Sequence, residues 1–271
     1  MNAKDDNQPQ KDTLADRECM EFDVIIVGAG PAGLSCACHL AQLATKANSE
    51  VSICVVEKAA QVGAHIVSGA VFETSALDEL FPDWPNSNAP LKQAVTEDQL
   101  RYLTTDQNHI NIPRILTPKP LRNHLYEQYI ISVSELAKWL AKQAEDLGVQ
   151  IFPGFSASQI AYDDKGKVTG IITSDMGRDK DGNEKPNFMP GIWLKGQYTV
   201  LSEGARGHLG KAVIKNFDLD NGKQPQHYGL GFKEIWKIDP GNPNYYPGKV
   251  VHSVGWPLSS MMRAAVVSST T

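Results

Sequence analysis

Gly28-Ala29-Gly30-Pro31-Ala32-Gly33 sets three glycines at the spacing G-x-G-x-x-G, and Glu57 closes the next apolar run. Gly28 permits a tight turn, Gly30 has no Cβ to block a pyrophosphate, and Gly33 lets a following helix pack close to a sheet. The free N–H groups of that helix then face the phosphates, aided by a dipole whose effect on a nearby anion is about 0.3–1 kcal/mol. Glu57 is placed to accept hydrogen bonds from ribose hydroxyls, and its charge disfavours a 2′-phosphate.

These residues need elements to hold them. Phe22–Val27 (FDVIIV) is a β-branched run of the kind buried on both faces of a parallel sheet. From Ala32 to about Lys46, Leu34, Ala37, Cys38, Ala41 and Ala44 recur mostly at spacings of three and four, giving one buried helical stripe. Val51–Val56 is a second strand ending at Glu57. Strand, turn, helix, strand and acid make a βαβ unit of the roughly 30-residue length of a dinucleotide fingerprint. No Asp, Glu, Lys or Arg occurs from Val24 to Thr45, but Gly28, Gly30, Pro31 and Gly33 would break a membrane-spanning helix there.

Composition narrows the class. The chain has 271 residues and is 41% hydrophobic and 21% charged, a globular mix large enough for one or two domains. A net charge of −5 with no long Lys/Arg block excludes a nucleic-acid partner. Cys19, Cys36, Cys38 and Cys54 contain no C-x-x-C pair, which points to a reducing compartment. Residues 1–21 read as a disordered tail, without the apolar core of a signal peptide and too acidic for a transit peptide.

Small residues from Gly63 to Ala70 allow backbone to approach a flat ring, and Thr74 or Ser75 can cap a short helix carrying Leu77, Leu80 and Phe81. Ser134 precedes a helix over about Glu135–Leu147 with Leu136, Trp139, Leu140, Ala144 and Leu147 on one face and Gly148 as its stop. Val149–Phe152 is a further strand. Ser158–Tyr162 and Val168–Thr173 flank the turn Asp163–Lys167 as a hairpin. Gly177–Pro186 reads as a polar loop, with no calcium site because the EF-hand glutamate is missing. Tyr198–Leu201, Gln224–Ile238 and Lys249–Trp256 read as strands, the last two in a second sheet.

GAGPAGL followed by VVEK (Glu57-Lys58) resembles the two-dinucleotide-fold FAD enzymes, so the implied dinucleotide is FAD. A more specific likeness lies in Gly63-Ala64-His65, Ser68-Gly69-Ala70 and Leu77–Trp84 (LDELFPDW). It continues through YIISVSELAKWLAKQAEDLGVQIFPGF, VLSEGARGHLGK, YGLGFKEIW and HSVGWPL. From about Phe22 to Leu258 the chain resembles the electron transfer flavoprotein:ubiquinone oxidoreductase family.

That resemblance implies an α/β fold: a Rossmann-like FAD-binding domain of the two-dinucleotide type over 22–258, with an interleaved, incomplete β-rich quinone-side domain. The implied reaction passes electrons from reduced electron transfer flavoprotein to ubiquinone in the respiratory chain. As electron relay it needs no general acid or nucleophile. The implied cofactor contacts are Gly28, Ala29, Gly30, Pro31, Ala32, Gly33, Glu57, Lys58, Gly63, His65, Ser68, Gly69, Glu203 and Gly204. His65 is expected beside the flavin as a hydrogen-bonding group.

Residues 63–84 are implied to dip into the membrane, with Phe72, Leu77, Leu80, Phe81 and Trp84 facing lipid. The implied location is peripheral, on the cytoplasmic face of a bacterial inner membrane. Family members also carry a second FAD motif and a four-cysteine [4Fe–4S] domain, and Cys36 and Cys38 cannot stand in for its ligands. Likeness is expected to stop at Leu258, making 259–271 an atypical tail on a truncated or frame-shifted form with weak FAD binding or none. A related FAD-dependent reductase or monooxygenase of the geranylgeranyl reductase-like group and a catalytically inactive FAD-binding fragment are the alternatives.

Overall fold

The computed structural model describes residues 17–67, 69–122, 127–229, 231–243, 245–257 and 266–269. These fall into two compact units, each made of two separate stretches of chain. The first comprises residues up to 66 and 137–228; the second comprises 67–136 and the residues from 229 onward.

In the first unit β1 (Cys19–Val27) lies between two parallel neighbours. β2 (Ile53–Glu57) pairs with it from Val24↔Ile53 to Val27↔Val56, and β13 (Trp193–Leu201) from Cys19↔Trp193 to Val27↔Leu201. β8 (Gln150–Pro153) runs parallel to β2, while β10 (Val168–Thr173) and β9 (Ala157–Tyr162) continue antiparallel beyond β13. The sheet order is therefore β8-β2-β1-β13-β10-β9. The unbroken apolar runs follow from this placement, since a parallel sheet is covered on both faces. Ile25, Ile26, Cys54 and Val55 are fully buried.

α1 (Pro31–Lys46) buries Gly33, Leu34, Ala37, Cys38 and Ala41, the stripe anticipated from spacing, whereas Ala44 is half-buried. Cys38 Sγ reaches the Leu140 carbonyl at 3.7 Å, on the later part of α3 (Val133–Asp146).

Two expectations for this unit need correction. The disordered tail cannot extend to residue 21, because Cys19, Met20 and Glu21 are paired with β13; residues 1–16 lie outside the described residues. Arg17 is anchored as well, donating to Asp175 Oδ1 and the Gly191 carbonyl, both at 2.8 Å. The polar stretch 177–186 is not a loop: β11 (Met176–Arg178) and β12 (Glu184–Met189) form an antiparallel hairpin. Its turn is closed by Asp179 Oδ1, which accepts the Asp181 and Asn183 N–H groups at 2.9 Å, and Arg178 stacks 4.5 Å over the Phe188 ring. Because the hairpin is largely exposed, it shows no apolar alternation.

The second unit holds two small sheets. β3 (Ala70–Glu73), β7 (Gln128–Ile131) and β4 (Gln93–Ala94) form one, in the order β3-β7-β4. β5 (Glu97–Leu103), β6 (His109–Ile112), β14 (Lys249–Gly255) and β15 (Val266–Ser269) form the other, in the order β15-β14-β5-β6. β15 falls within the stretch expected to be an atypical tail, and residues 258–265 lie outside the described residues. The expected strand over 224–238 has no regular structure.

α2 (Ser75–Leu80) starts where Thr74 and Ser75 suggested, but the Thr74 hydroxyl gives its proton to Asp78 Oδ2 at 2.8 Å rather than capping the backbone. The other oxygen of Asp78 accepts Trp84 Nε1–H at 2.6 Å, and the Trp84 ring meets Tyr129 edge-on at 5.7 Å. Leu77 and Trp84 are thus buried in protein and do not face lipid, while Phe72, Leu80 and Phe81 are half-buried. An anchored indole N–H and a stacked ring make Trp84 part of this unit's own core.

Candidate dinucleotide-binding site

β1 ends between two neighbours. The Gly28 N–H donates to the Val56 carbonyl at 2.8 Å, and the Ser202 N–H donates to the Val27 carbonyl at 2.8 Å. The chain leaves β1 through α1 toward β2, while β13 lies on the opposite side. A crevice opens at the carboxyl ends of parallel strands where connections diverge in this way, and ligands of open α/β sheets bind there.

The three glycines do different work. Gly28 has φ +104°, and a Cβ on it would lie 2.5 Å from the Ser202 carbonyl oxygen. A Cβ on Gly33 would lie 2.1 Å from the Gly28 carbonyl oxygen and 3.2 Å from Ile26 Cγ2 and Ser202 Cβ. Around Gly30 nothing lies within 4 Å of that position, and its φ of −82° is open to any residue. Gly28 and Gly33 therefore serve packing, and Gly30 faces open space.

α1 begins with Pro31 at its first position and without a side-chain cap. Its first bond runs from the Leu34 N–H to the Gly30 carbonyl at 3.0 Å, so the Ala32 and Gly33 amides precede the ladder. An uncapped N-terminus beside an open glycine suits an anion. Ala29 is buried, Pro31 half-buried and Ala32 exposed.

Glu57 is already engaged with this turn. Its Oε2 accepts the Ala29 N–H at 3.0 Å, and its Oε1 accepts the Ala59 N–H at 2.8 Å. A carboxylate has about four acceptor positions, so two remain for hydroxyl donors. Lys58 is exposed and His65 is exposed. Gly63 is buried with φ +85°, Ser68 lies outside the described residues, and Gly69 belongs to the second unit, where its carbonyl accepts Lys233 Nζ at 2.5 Å.

Glu203 points elsewhere. Its Oε2 accepts the Gly210 N–H at 2.8 Å and its Oε1 the Leu209 N–H at 3.3 Å, so it caps α4 (His208–Asn216). His208 Nδ1 stands 3.3 Å from the same Oε1. The carboxylate, 11% exposed, is thus engaged at a helix N-terminus, and Gly204 follows it at φ +77°. Sequence reading missed Ser202, whose carbonyl and Cβ pack against Gly28 and Gly33. A small residue at the end of a strand neighbouring the glycine turn was its signal.

No group of three or more metal-ligating side chains occurs among the described residues. Burial pushes the Cys38 and Cys54 thiols up to about 12, so both are inert apolar fillers.

Comparison with known proteins supplies the lineage of this arrangement. Residues 26–82 match the family described as NAD(P)-binding Rossmann-like domain. Residues 228–267 match the ubiquinone-binding family of ETF-QO, a match that runs past Leu258, where likeness was expected to stop. The electron transfer flavoprotein-ubiquinone oxidoreductase of Pseudomonas aeruginosa is 52% identical over 245 residues, covering 90% of this chain and 44% of the relative. The human mitochondrial protein of the same description is 47% identical over 243 residues, covering 90% and 38%. The chain spans less than half the length of these curated relatives. Among solved structures, a geranylgeranyl bacteriochlorophyll reductase-like protein from Thermoplasma acidophilum superposes with a TM-score of 0.55 at 14% identity, covering 88% of this chain and 51% of that one. That likeness is one of fold.

Proposed function

Because the chain belongs to the electron transfer flavoprotein-ubiquinone oxidoreductase family, we propose that it supplies the dinucleotide-holding part of a flavoprotein that passes electrons from reduced electron transfer flavoprotein to ubiquinone. The observation that carries this reading is the contrast at the turn: Gly28 and Gly33 are closed by backbone, and Gly30 is open beside an uncapped helix.

The residues present fit the adenosine diphosphate half of FAD. Gly30 admits the pyrophosphate, and the Ala32 and Gly33 amides donate to it. Glu57 keeps two acceptor positions for the ribose hydroxyls while holding the turn through Ala29. Its negative charge selects against a 2′-phosphorylated dinucleotide. When bound, FAD supplies the electron-carrying chemistry, and the protein supplies position and environment. Ubiquinone is assigned to the region that includes 228–267.

Peripheral membrane contact on the cytoplasmic side falls to Val67, 67% exposed, and to the half-buried Phe72, Leu80 and Phe81. No described helix is long and apolar enough to cross a membrane.

Calorimetric titration with FAD and with NADP tests the site. Weak binding of FAD in preference to NADP, lost in Gly30→Val without a change in thermal unfolding, is the expected result. Equal binding by Gly30→Val, or a preference for NADP, overturns it. The redox reading is tested by quinone reduction that depends on reduced electron transfer flavoprotein.

A further inference from the structure

After β6 the sequence runs Pro113-Arg114-Ile115-Leu116-Thr117-Pro118-Lys119, with proline at two turn-forming positions. A proline fixes its own φ and opens a short turn more readily than it continues a strand. Pro113 and Pro118, both at φ −56°, each precede a single 3₁₀ turn, Arg114–Leu116 and Lys119–Leu121. The Leu116 N–H closes the first on the Pro113 carbonyl at 2.9 Å, and the Leu121 N–H closes the second on the Pro118 carbonyl at 2.9 Å. Thr117 is buried between them. The two turns therefore set Arg114 at the head of the pair and Arg122 at its tail.

Both arginines line one cavity. It has a volume of about 150 Å³ and lies between this segment and the β5–β6 pair, wholly within the second unit. Leu100 and Ile112, partners across that pair, give it apolar surface, while Asp98, Asn111, Arg114 and Arg122 give it polar groups. Sites for whole small molecules start at about 300 Å³, so this one is sized for an ion or a single head group.

Its charge is unbalanced. Arg122 is half-buried, and neutral oxygens hold its guanidinium: Nε–H donates to the Thr117 carbonyl at 2.8 Å and Nη2–H to the Ile115 carbonyl at 3.2 Å. Most of its five donors remain for a ligand. Among the described residues Arg114 makes no hydrogen bond, and neither arginine is paired with a carboxylate. Two guanidiniums thus share the cavity with one carboxylate, Asp98, which also interacts electrostatically with the buried His252.

We propose that this cavity binds a terminal phosphate, either inorganic phosphate or the head group of phosphatidic acid. Guanidiniums match phosphate oxygens in charge and in planar, bidentate geometry, and the Asn111 amide adds a neutral donor. Asp98 sets the selectivity. A terminal phosphate has a second pKa near about 6 and so keeps a proton that Asp98 accepts. Sulfate and phosphodiesters carry no such proton and meet Asp98 as a like charge. Ile115 and Leu116, 84% and 70% exposed beside Arg114, offer apolar surface to an acyl chain. The glycine turn is in the other unit, and the inference rests on neither FAD nor electron transfer.

The test uses the full 271-residue chain carrying Gly30→Val, so that the glycine turn does not contribute, at about pH 6 and low salt. Inorganic phosphate and sulfate are titrated by calorimetry. Phosphatidylcholine vesicles carrying phosphatidic acid or phosphatidylglycerol are compared by flotation. Phosphate over sulfate, or phosphatidic acid over phosphatidylglycerol, by at least about tenfold is the expected result. Arg114→Ala should weaken that binding at least about tenfold with the unfolding temperature unchanged, since its side chain is exposed and unbonded. Asp98→Asn should abolish the preference for phosphate over sulfate. Heat with inorganic phosphate identifies the free ion as the ligand, and flotation with phosphatidic acid alone identifies the lipid. Binding of neither, equal binding of sulfate and phosphatidylglycerol, or undiminished binding by Arg114→Ala overturns the proposal. A parent chain that takes phosphate but no FAD leaves this proposal standing and removes the functional one.

Discussion

Glu57 Oε2 takes the backbone N–H of Ala29 at 3.0 Å, so the acid at the end of β2 holds the glycine turn at the end of β1. A residue that a fingerprint assigns to the ligand therefore also belongs to the scaffold. Glu57→Ala should lower stability by about 1–2 kcal/mol with no ligand present, because two amides lose a charged acceptor. Urea unfolding of the ligand-free chain checks this, and unchanged stability would reduce Glu57 to a ligand contact.

The three glycines should separate in mutagenesis. Gly33→Ala forces a Cβ against the fixed Gly28 carbonyl and should cost about 1–3 kcal/mol, more than the gain in helix propensity returns. Gly30→Ala meets nothing and should leave the unfolding midpoint in place while weakening FAD binding. A paired melting and titration experiment distinguishes the two.

Glu203 should behave as a cap. Glu203→Ala removes the acceptor of the Leu209 and Gly210 amides and should destabilise by about 1 kcal/mol, with dinucleotide affinity within about twofold. A tenfold loss of affinity at unchanged stability would reassign its carboxylate to the ligand.

Asp175 should make the first unit acid-sensitive. Burial pushes its carboxyl up, but the Gly191 amide and the Arg17 and Arg178 guanidiniums outweigh that and hold it at about 2. A carboxyl with a lowered folded value contributes stability above its unfolded value near 4, and loses it as pH falls toward 2. Comparing Asp175→Asn with the parent should show a difference of about 1–2 kcal/mol at pH 5 that is largely lost by pH 2.

Thiol labelling at pH 8 should reach the exposed Cys19 and spare Cys38 and Cys54 until the chain unfolds. With both buried thiols near 12, their labelling should be at least about 100-fold slower, read peptide by peptide by mass spectrometry.

Much of the first unit was legible because its signals are local. The run FDVIIV, the glycine spacing and the stripe Leu34, Ala37, Cys38, Ala41 each report their own environment within a few residues. The β11–β12 hairpin was illegible because its stability comes from an Asp179 turn and the Arg178–Phe188 stack, with little apolar surface to set a period. Trp84 was misplaced for the opposite reason. Its composition suits an interface, and only the long-range partner Tyr129 and the Asp78 acceptor reveal that it is core. Glu203 shows a third limit: a carboxylate after a strand looks the same whether it meets a ligand or the next helix.

The pairing of β1 with β13 has a consequence for synthesis. The residues joined by the Lys195–Glu21 ion pair are 174 positions apart, so β1 emerges from the ribosome long before one of its two neighbours exists. At the usual elongation rate of about 5–20 residues per second, that interval is roughly 10–35 s. Throughout it, a strand whose centre ends fully buried has one bare edge, and the glycine turn lacks the Ser202 wall. A nascent chain of this design presents that edge for the whole interval, and translation pauses before Trp193 would lengthen its exposure.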